Sequence, residues 1–309
     1  MASRALHAIG EIAKNLGHVR RDPLGALDIL SPPTNATVLT DLPYGPEDGQ
    51  RLDLFLRPAL ENPPLRSAVL YFHGGRWSYG RKEEYAFVAR ALCARGHVVA
   101  VCDYRKFPQV CFPAFVEDAA TAIAWALAQL PGYGVDPRLI FSMGHSAGAH
   151  MAALAAMDQR YGRAFGFDPD ALAGLVLLSG PYDFFPIRGE DLREIFGPEQ
   201  AHPETQPLRY ARAGLPPMLF LHGRRDRTVR PSSSARMASA IRDAGGQARV
   251  VFYNHLSHTD ILATLSDGIG FLLGPVLGDI SAFLRTRIGE VDKGRISTTV
   301  VEPSETPDA

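Results

Sequence analysis

Along the chain, short apolar runs alternate with longer segments whose apolar positions recur every three or four residues. The runs Ser67–Phe72, His97–Asp103, Leu139–Met143, Leu172–Ser179, Met218–His222 and Ala248–Tyr253 are each bounded by turn-forming residues. Runs this short and this continuous predict strands buried on both faces of a mainly parallel sheet. Between them, Glu83–Arg95, Phe115–Leu130, Ala147–Met157, Ser232–Ala244 and Val276–Ile288 have helical periodicity. Strand and helix in alternation imply right-handed crossovers and a helix/sheet/helix core, an α/β architecture. Ahead of this pattern, Thr37–Thr40 and Arg51–Phe55 flank the turn-rich Tyr44-Gly45-Pro46-Glu47-Asp48-Gly49. They predict a hairpin that gives the sheet an antiparallel edge.

Three stretches depart from the rhythm. Ser3–His18 carries Leu6, Ile9, Ile12, Ala13 and Leu16 at helical spacing, so residues 1–36 are read as an N-terminal helical segment that could cap the domain at 37–290. Asp183–Gly214 is longer than most connections and predicts a lid or surface excursion with a short helix near Leu192–Phe196. Residues 291–309 are polar and rich in Pro and Glu near the end, which predicts a disordered tail.

Composition narrows the function classes. With 309 residues, 46% hydrophobic, and no internal linker, one large core is expected. Lys+Arg 32 against Asp+Glu 33 lacks the basic surplus that nucleic-acid binding requires. The three cysteines, Cys93, Cys102 and Cys111, form no C-x-x-C pair and suggest neither a disulfide framework nor a zinc site. No apolar stretch approaches the ~20 residues needed to span a bilayer, and no signal-peptide pattern opens the chain, so a cytoplasmic location without a membrane partner is expected. Both a monomer and a homo-oligomer are compatible with this composition.

The chemistry concentrates in Gly144-His145-Ser146-Ala147-Gly148, which follows an apolar run and opens an alanine-rich helix. By composition, G-x-S-x-G turns up by chance about once in seven such chains, so its context carries the weight. Two glycines permit a sharp strand-to-helix turn that projects the Ser146 hydroxyl above the sheet edge. A serine nucleophile needs a base and the base an orienting acid, in the chain order Ser, Asp, His for this type of sheet. Asp226 follows the run Met218–His222, and His258 follows Ala248–Tyr253. Asp183 is a rival acid after the preceding run, and His255 a rival base three residues from His258. His73-Gly74-Gly75 follows Ser67–Phe72 directly, so the Gly74 and Gly75 amides, with that of Ala147, are candidates for an oxyanion hole. His145, His150 and His222 give no consistent metal-ligand set and are read as packing or hydrogen-bonding groups; no metal or cofactor is indicated.

With these residues in view, the chain resembles the α/β-hydrolase esterases related to hormone-sensitive lipase, in particular the compact branch of feruloyl-esterase-like and arylformamidase-like proteins. The resemblance spans roughly Tyr44 to Leu284. It rests on His73-Gly74-Gly75-Arg76-Trp77, Asp103-Tyr104-Arg105, Phe112-Pro113-Ala114, Gly144 to His150, Ser179-Gly180-Pro181-Tyr182-Asp183, and His222-Gly223 followed by Asp226. It implies Ser146, Asp226 and His258 as a catalytic triad, with Gly74, Gly75 and Ala147 as oxyanion donors. It favours His258 over His255, because His258-Thr259-Asp260-Ile261-Leu262 looks like the family's histidine ahead of an apolar helix start. One departure stands out: Arg76 occupies the place where many relatives have a third glycine. The expected activity is hydrolysis of small, short-acyl carboxylic esters through an acyl-enzyme. Hydrolysis of an aryl formamide such as N-formylkynurenine is the alternative, and a non-catalytic ligand receptor a further one.

Overall fold

The structure is a computed structural model that describes residues 27, 31, 35–57, 66–268 and 270–294. The expected helix at Ser3–His18 and the tail beyond residue 294 lie outside the described residues. The apolar runs become strands of a single sheet: β1 (Thr37–Pro43), β2 (Arg51–Leu56), β3 (Ala68–Phe72), β4 (Val98–Cys102), β5 (Ile140–His145), β6 (Gly174–Leu178), β7 (Met218–Gly223) and β8 (Ala248–Tyr253). Their order is β1-β2-β4-β3-β5-β6-β7-β8. From β4 to β8 every pairing is parallel, whereas β1 pairs β2, and β2 pairs β4, antiparallel. The antiparallel edge and parallel centre thus match the sequence pattern. β1 runs past Thr40 because a register shift between Leu39 and Leu42 lets pairing resume beyond an irregularity.

Helices cover both faces: α1 (Ala86–Ala94), α2 (Ala114–Gln129), α3 (Ala147–Met157), α4 (Gln159–Phe165), α5 (Glu190–Phe196), α6 (Ser232–Asp243), α7 (Asp260–Ala263), α8 (Gly270–Leu273) and α9 (Val276–Asp292). Alternate strand residues feed two cores. Leu70, Ile140, Leu175 and Leu177 join α2, α3 and α6 on one face; Val69, Phe141, Met143 and Val176 join α1 and α9 on the other. Each of the five central strands β3 to β7 is buried along its whole length. That accounts for their unbroken apolar reading.

Some boundaries shift. The segment expected to be helical from Glu83 opens instead as a 3₁₀ turn, Lys82–Tyr85, before α1 begins. α4 was not evident from periodicity; Asp158 caps it by accepting from the Arg160 N–H. α9 continues four residues past Ile288 to Asp292, so the domain boundary placed at residue 290 falls inside a helix. Among the described residues, no helix is long and apolar enough to cross a membrane. None of their His, Cys, Asp and Glu clusters could hold a metal ion.

Candidate active site

Ser146 sits between the end of β5 and the start of α3 with φ 53° and ψ −116°. That conformation disfavours any residue with a Cβ, and it is held because the flanking positions admit only glycine. A Cβ on Gly144 would lie 2.5 Å from the Gly148 carbonyl carbon, and one on Gly148 would collide with the carbonyls of Phe72 and His73. The Ser146 N–H donates to the Leu178 carbonyl (2.9 Å), and its own carbonyl accepts the His150 N–H (3.1 Å). The hydroxyl is therefore fixed at the carboxyl ends of the strands, where open α/β sheets bind ligands.

The loops after β7 and β8 bring two further side chains to it. His258 Nε2 is 2.9 Å from Ser146 Oγ, and His258 Nδ1 is 2.7 Å from Asp226 Oδ2. The other oxygen of Asp226 accepts the N–H groups of Thr228 (2.9 Å) and Val229 (2.8 Å). Burial pushes the Asp226 carboxyl up, but hydrogen bonds from His222, His258 and the Val229 N–H outweigh it and hold the group well below the usual carboxylate range. Asp226 remains an anion hydrogen-bonded to the imidazole.

Two of the histidines expected to be packing or hydrogen-bonding groups, His222 and His145, hydrogen-bond to this line of residues. His222, fully buried, lies 3.2 Å from Asp226 Oδ2 through Nε2 and 2.8 Å from Ser234 Oγ through Nδ1. His145 Nε2 is 3.0 Å from the His258 carbonyl, so the Nε2–H tautomer would tie the loop of the candidate base to the serine turn. Burial, then the neighbouring His258, lowers the His145 pKa to about 3, which keeps it neutral. Their adjacency to Ser146 and Asp226 in sequence is the available signal, but the His258 carbonyl and Ser234 that they meet lie in a distant loop and in α6. The rival acid Asp183 pairs instead with Arg236 at 3.0 Å, and the rival base His255 is exposed.

The loop after β3 faces Ser146. A Cβ on Gly74 would stand 2.8 Å from His145 Nδ1 and 3.4 Å from the Ser146 Cβ, so the bare backbone approaches the serine closely. Gly75 has φ 125°, and its carbonyl accepts from the N–H groups of Ser78 and Tyr79 (2.9 Å each). Among the described residues, the N–H groups of Gly74, Gly75 and Ala147 have no acceptor of their own. Beyond the glycines the loop turns through two left-handed residues, Arg76 (φ 52°) and Trp77 (φ 58°). Trp77 packs edge-on to Phe196 of α5 at 4.7 Å, and Arg76 reaches Asp191 of the same helix at 2.5 Å. The excursion expected at Asp183–Gly214 thus forms a wall of the site. Together these elements enclose a cleft of about 670 Å³ lined by Ser146, His258, Gly74, Gly75, Trp77, Phe184 and Leu192, with Leu27 from ahead of the sheet.

Residues 52–241, more than half of the chain, match the BD-FAE family. The chain belongs to the BD-FAE family. Its eight-stranded, mostly parallel sheet is that of an α/β-hydrolase, in keeping with the esterase resemblance of its motifs. Among relatives of this BD-FAE chain, the probable isoprenylcysteine alpha-carbonyl methylesterase ICME of Oryza sativa is 32% identical over 72% of the chain and 58% of the rice protein. Esterase LipQ of Mycobacterium tuberculosis is 29% identical over 79% of the chain and 64% of that protein. The chain thus spans less than two-thirds of the length of these curated relatives. A thermophilic esterase of the planctomycete Thermogutta terrifontis, solved with propionate bound, aligns with TM-score 0.65 and 26% identity over 85% of this chain and 96% of that one. The same esterase has also been solved phosphoramylated by tabun.

Proposed function

We propose that this BD-FAE chain is a serine carboxylesterase that hydrolyses small, short-acyl esters through an acyl-enzyme. The observation that carries the reading is the hydrogen-bonded line Asp226–His258–Ser146, which opens on a cleft where three backbone N–H groups are free of acceptors. In this reading, Ser146 Oγ attacks the ester carbonyl carbon as its proton passes to His258 Nε2. The carbonyl π pair moves onto oxygen, where the N–H groups of Gly74, Gly75 and Ala147 stabilise the oxyanion. Collapse expels the alcohol, which takes the proton from His258. Water then gives a proton to the same nitrogen and attacks the acyl carbon; the bond from that carbon to Ser146 Oγ breaks, His258 Nε2 returns its proton to Oγ, and the carboxylic acid leaves.

The names of the relatives point to esters rather than aryl formamides as the substrate class. A cleft of about 670 Å³ walled by Trp77 and Phe184 suits a small acyl group, and the propionate bound by the Thermogutta esterase supports that size. The test is a side-by-side assay of p-nitrophenyl acetate, butyrate and palmitate with N-formylkynurenine. Acetate or butyrate should exceed palmitate at least ~10-fold in kcat/KM, a difference of ~1.4 kcal/mol in transition-state stabilisation. Preference for palmitate would overturn the short-acyl claim, and faster turnover of N-formylkynurenine the ester claim.

A further inference from the structure

The acid loop carries more positive charge than orienting a histidine requires. Between Gly223 and Pro231 the chain reads Arg-Arg-Asp-Arg-Thr-Val-Arg, and Arg224, Arg225, Arg227 and Arg230 are all exposed. Arg224 lies over the Phe252 ring at 4.8 Å. Among the described residues, none of the four has a carboxylate partner. Elsewhere on the surface arginines are commonly matched: Arg76 with Asp191, Arg95 with Asp267, Arg160 with Asp158 and Arg212 with Asp170. The one acid in the loop, Asp226, is buried and committed to His222 and His258. In a chain with net charge −1, four unmatched cations in seven residues are a local excess.

This excess stands on a fixed backbone, part of which lines the cleft. The loop is pinned by Arg224 N–H to the Tyr253 carbonyl (2.8 Å) and by Arg225 N–H to the Leu256 carbonyl (3.1 Å). Asp226 holds the N–H groups of Thr228 and Val229. Thr228 and Val229 themselves line the cleft, flanked in sequence by Arg227 and Arg230. The loop also backs His258, and His258 is the group that must hand a proton to the leaving alcohol, so the alcohol portion of the substrate lies on this side of Ser146. The charges opposing it are few. Asp260, in the cleft lining, accepts the Ser257 N–H; Asp183 is paired with Arg236; Asp191 is paired with Arg76.

We propose that the Arg224–Arg230 loop selects esters whose alcohol portion carries a negative charge, a carboxylate or phosphate held beyond the scissile bond. The proposal rests on the esterase reading and names a substrate class for the same site. Because the guanidinium groups are exposed, their pull acts through screened space, across a Debye length of ~10 Å at 0.1 M salt. Selectivity for the anion should therefore be strong at low ionic strength and fade as salt rises.

The experiment compares the butyrate ester of 5-hydroxy-2-nitrobenzoate with the butyrate ester of the corresponding methyl benzoate, which keeps the chromogenic leaving group but removes the charge. For the wild-type chain, kcat/KM for the anionic ester should exceed that for the neutral one at least fivefold at 20 mM ionic strength, and approach it at 0.5 M NaCl. Replacing Arg227 and Arg230 together by glutamine should lower kcat/KM for the anionic ester at least fivefold and change the neutral ester less than twofold. Equal kcat/KM for the two esters at low salt, or an equal loss on both in the double variant, would overturn the charge selection and leave the esterase reading standing. Turnover of neither ester by wild type would overturn both.

Discussion

The two walls of the cleft are held by different physics. On the wall of Ser146, His258 and Asp226, the links are partly buried hydrogen bonds of 2.7–2.9 Å, with the Asp226 and His222 side chains both fully shielded from solvent. On the opposite wall, Trp77 and Phe184 lean on Phe196 through ring contacts of 4.7 and 5.2 Å. The tie across its surface is the Arg76–Asp191 pair, with side chains 46% and 54% exposed. Buried polar links are costly to break because their partners are left unsatisfied, whereas an exposed ion pair is worth little and is screened by salt. The hydrogen-bonded wall is thus rigid, and the shape of the opposite wall rests on softer contacts.

Substitutions sharpen this contrast in descending order of effect. Ser146→Ala should lower kcat on p-nitrophenyl butyrate by ~10⁴-fold or more while leaving the circular dichroism spectrum unchanged, because the triad acts as a unit. His258→Ala should match it, and His255→Ala should stay within about twofold. Asp226→Asn should cost up to ~10⁴ in kcat, since the imidazole loses its orienting anion. Asp183→Asn, which removes a partner of Arg236, should change kcat little; if it proves the more damaging of the two, the acid is misassigned. Asp226 also sets a pH signature. Its carboxyl titrates lower in the folded chain than when unfolded, so its contribution to stability is complete above the unfolded value of ~3.9 and is lost as pH falls through the lower folded value. The difference in thermal stability between wild type and Asp226→Asn should therefore narrow below about pH 4 by calorimetry; a constant difference would contradict the carboxylate's low pKa.

Smaller effects should follow from the turn and the soft wall. Gly148→Ala forces a Cβ into the Phe72 and His73 carbonyls, and overpacking of this kind costs ~1–3 kcal/mol. Its melting temperature should fall, with a loss of activity that Gly278→Ala, where a Cβ meets nothing within 4 Å, does not share. Asp191→Asn should change kcat/KM only about two- to fivefold and leave an enzyme less sensitive to salt. A loss as large as that of Asp226→Asn would place the Arg76 wall in the chemistry and erase the contrast.

What the sequence disclosed follows the same division. Strands buried on both faces leave unbroken apolar runs, so β3 to β7 are delimited within two residues at either end; β8 also spans the expected Ala248–Tyr253, but as the edge strand it is buried only at Tyr253, not on both faces. The three residues of the hydrogen-bonded line could be picked out because each follows a strand, and parallel strands deliver such loops to one edge of the sheet. The choice between His255 and His258, or between Asp183 and Asp226, depends on where a short loop turns, which periodicity does not encode. The partners of the supporting residues are illegible for another reason. His222 meets Ser234 across a helix, His145 meets a carbonyl 113 residues away, and Arg76 meets Asp191 at a separation of 115. Such contacts depend on the packed fold, and α4, with its capped short turn, carried too few residues to register as a period.

Covalent labelling reads out directly whether Ser146 is the nucleophile. Wild-type chain treated with a fluorophosphonate probe, digested and analysed by mass spectrometry should carry the adduct on the peptide containing Gly144 to Gly148, at Ser146, with loss of esterase activity in step with labelling. Ser146→Ala should remain unlabelled under the same conditions. An adduct on another residue, or equal labelling of Ser146→Ala, would contradict the account.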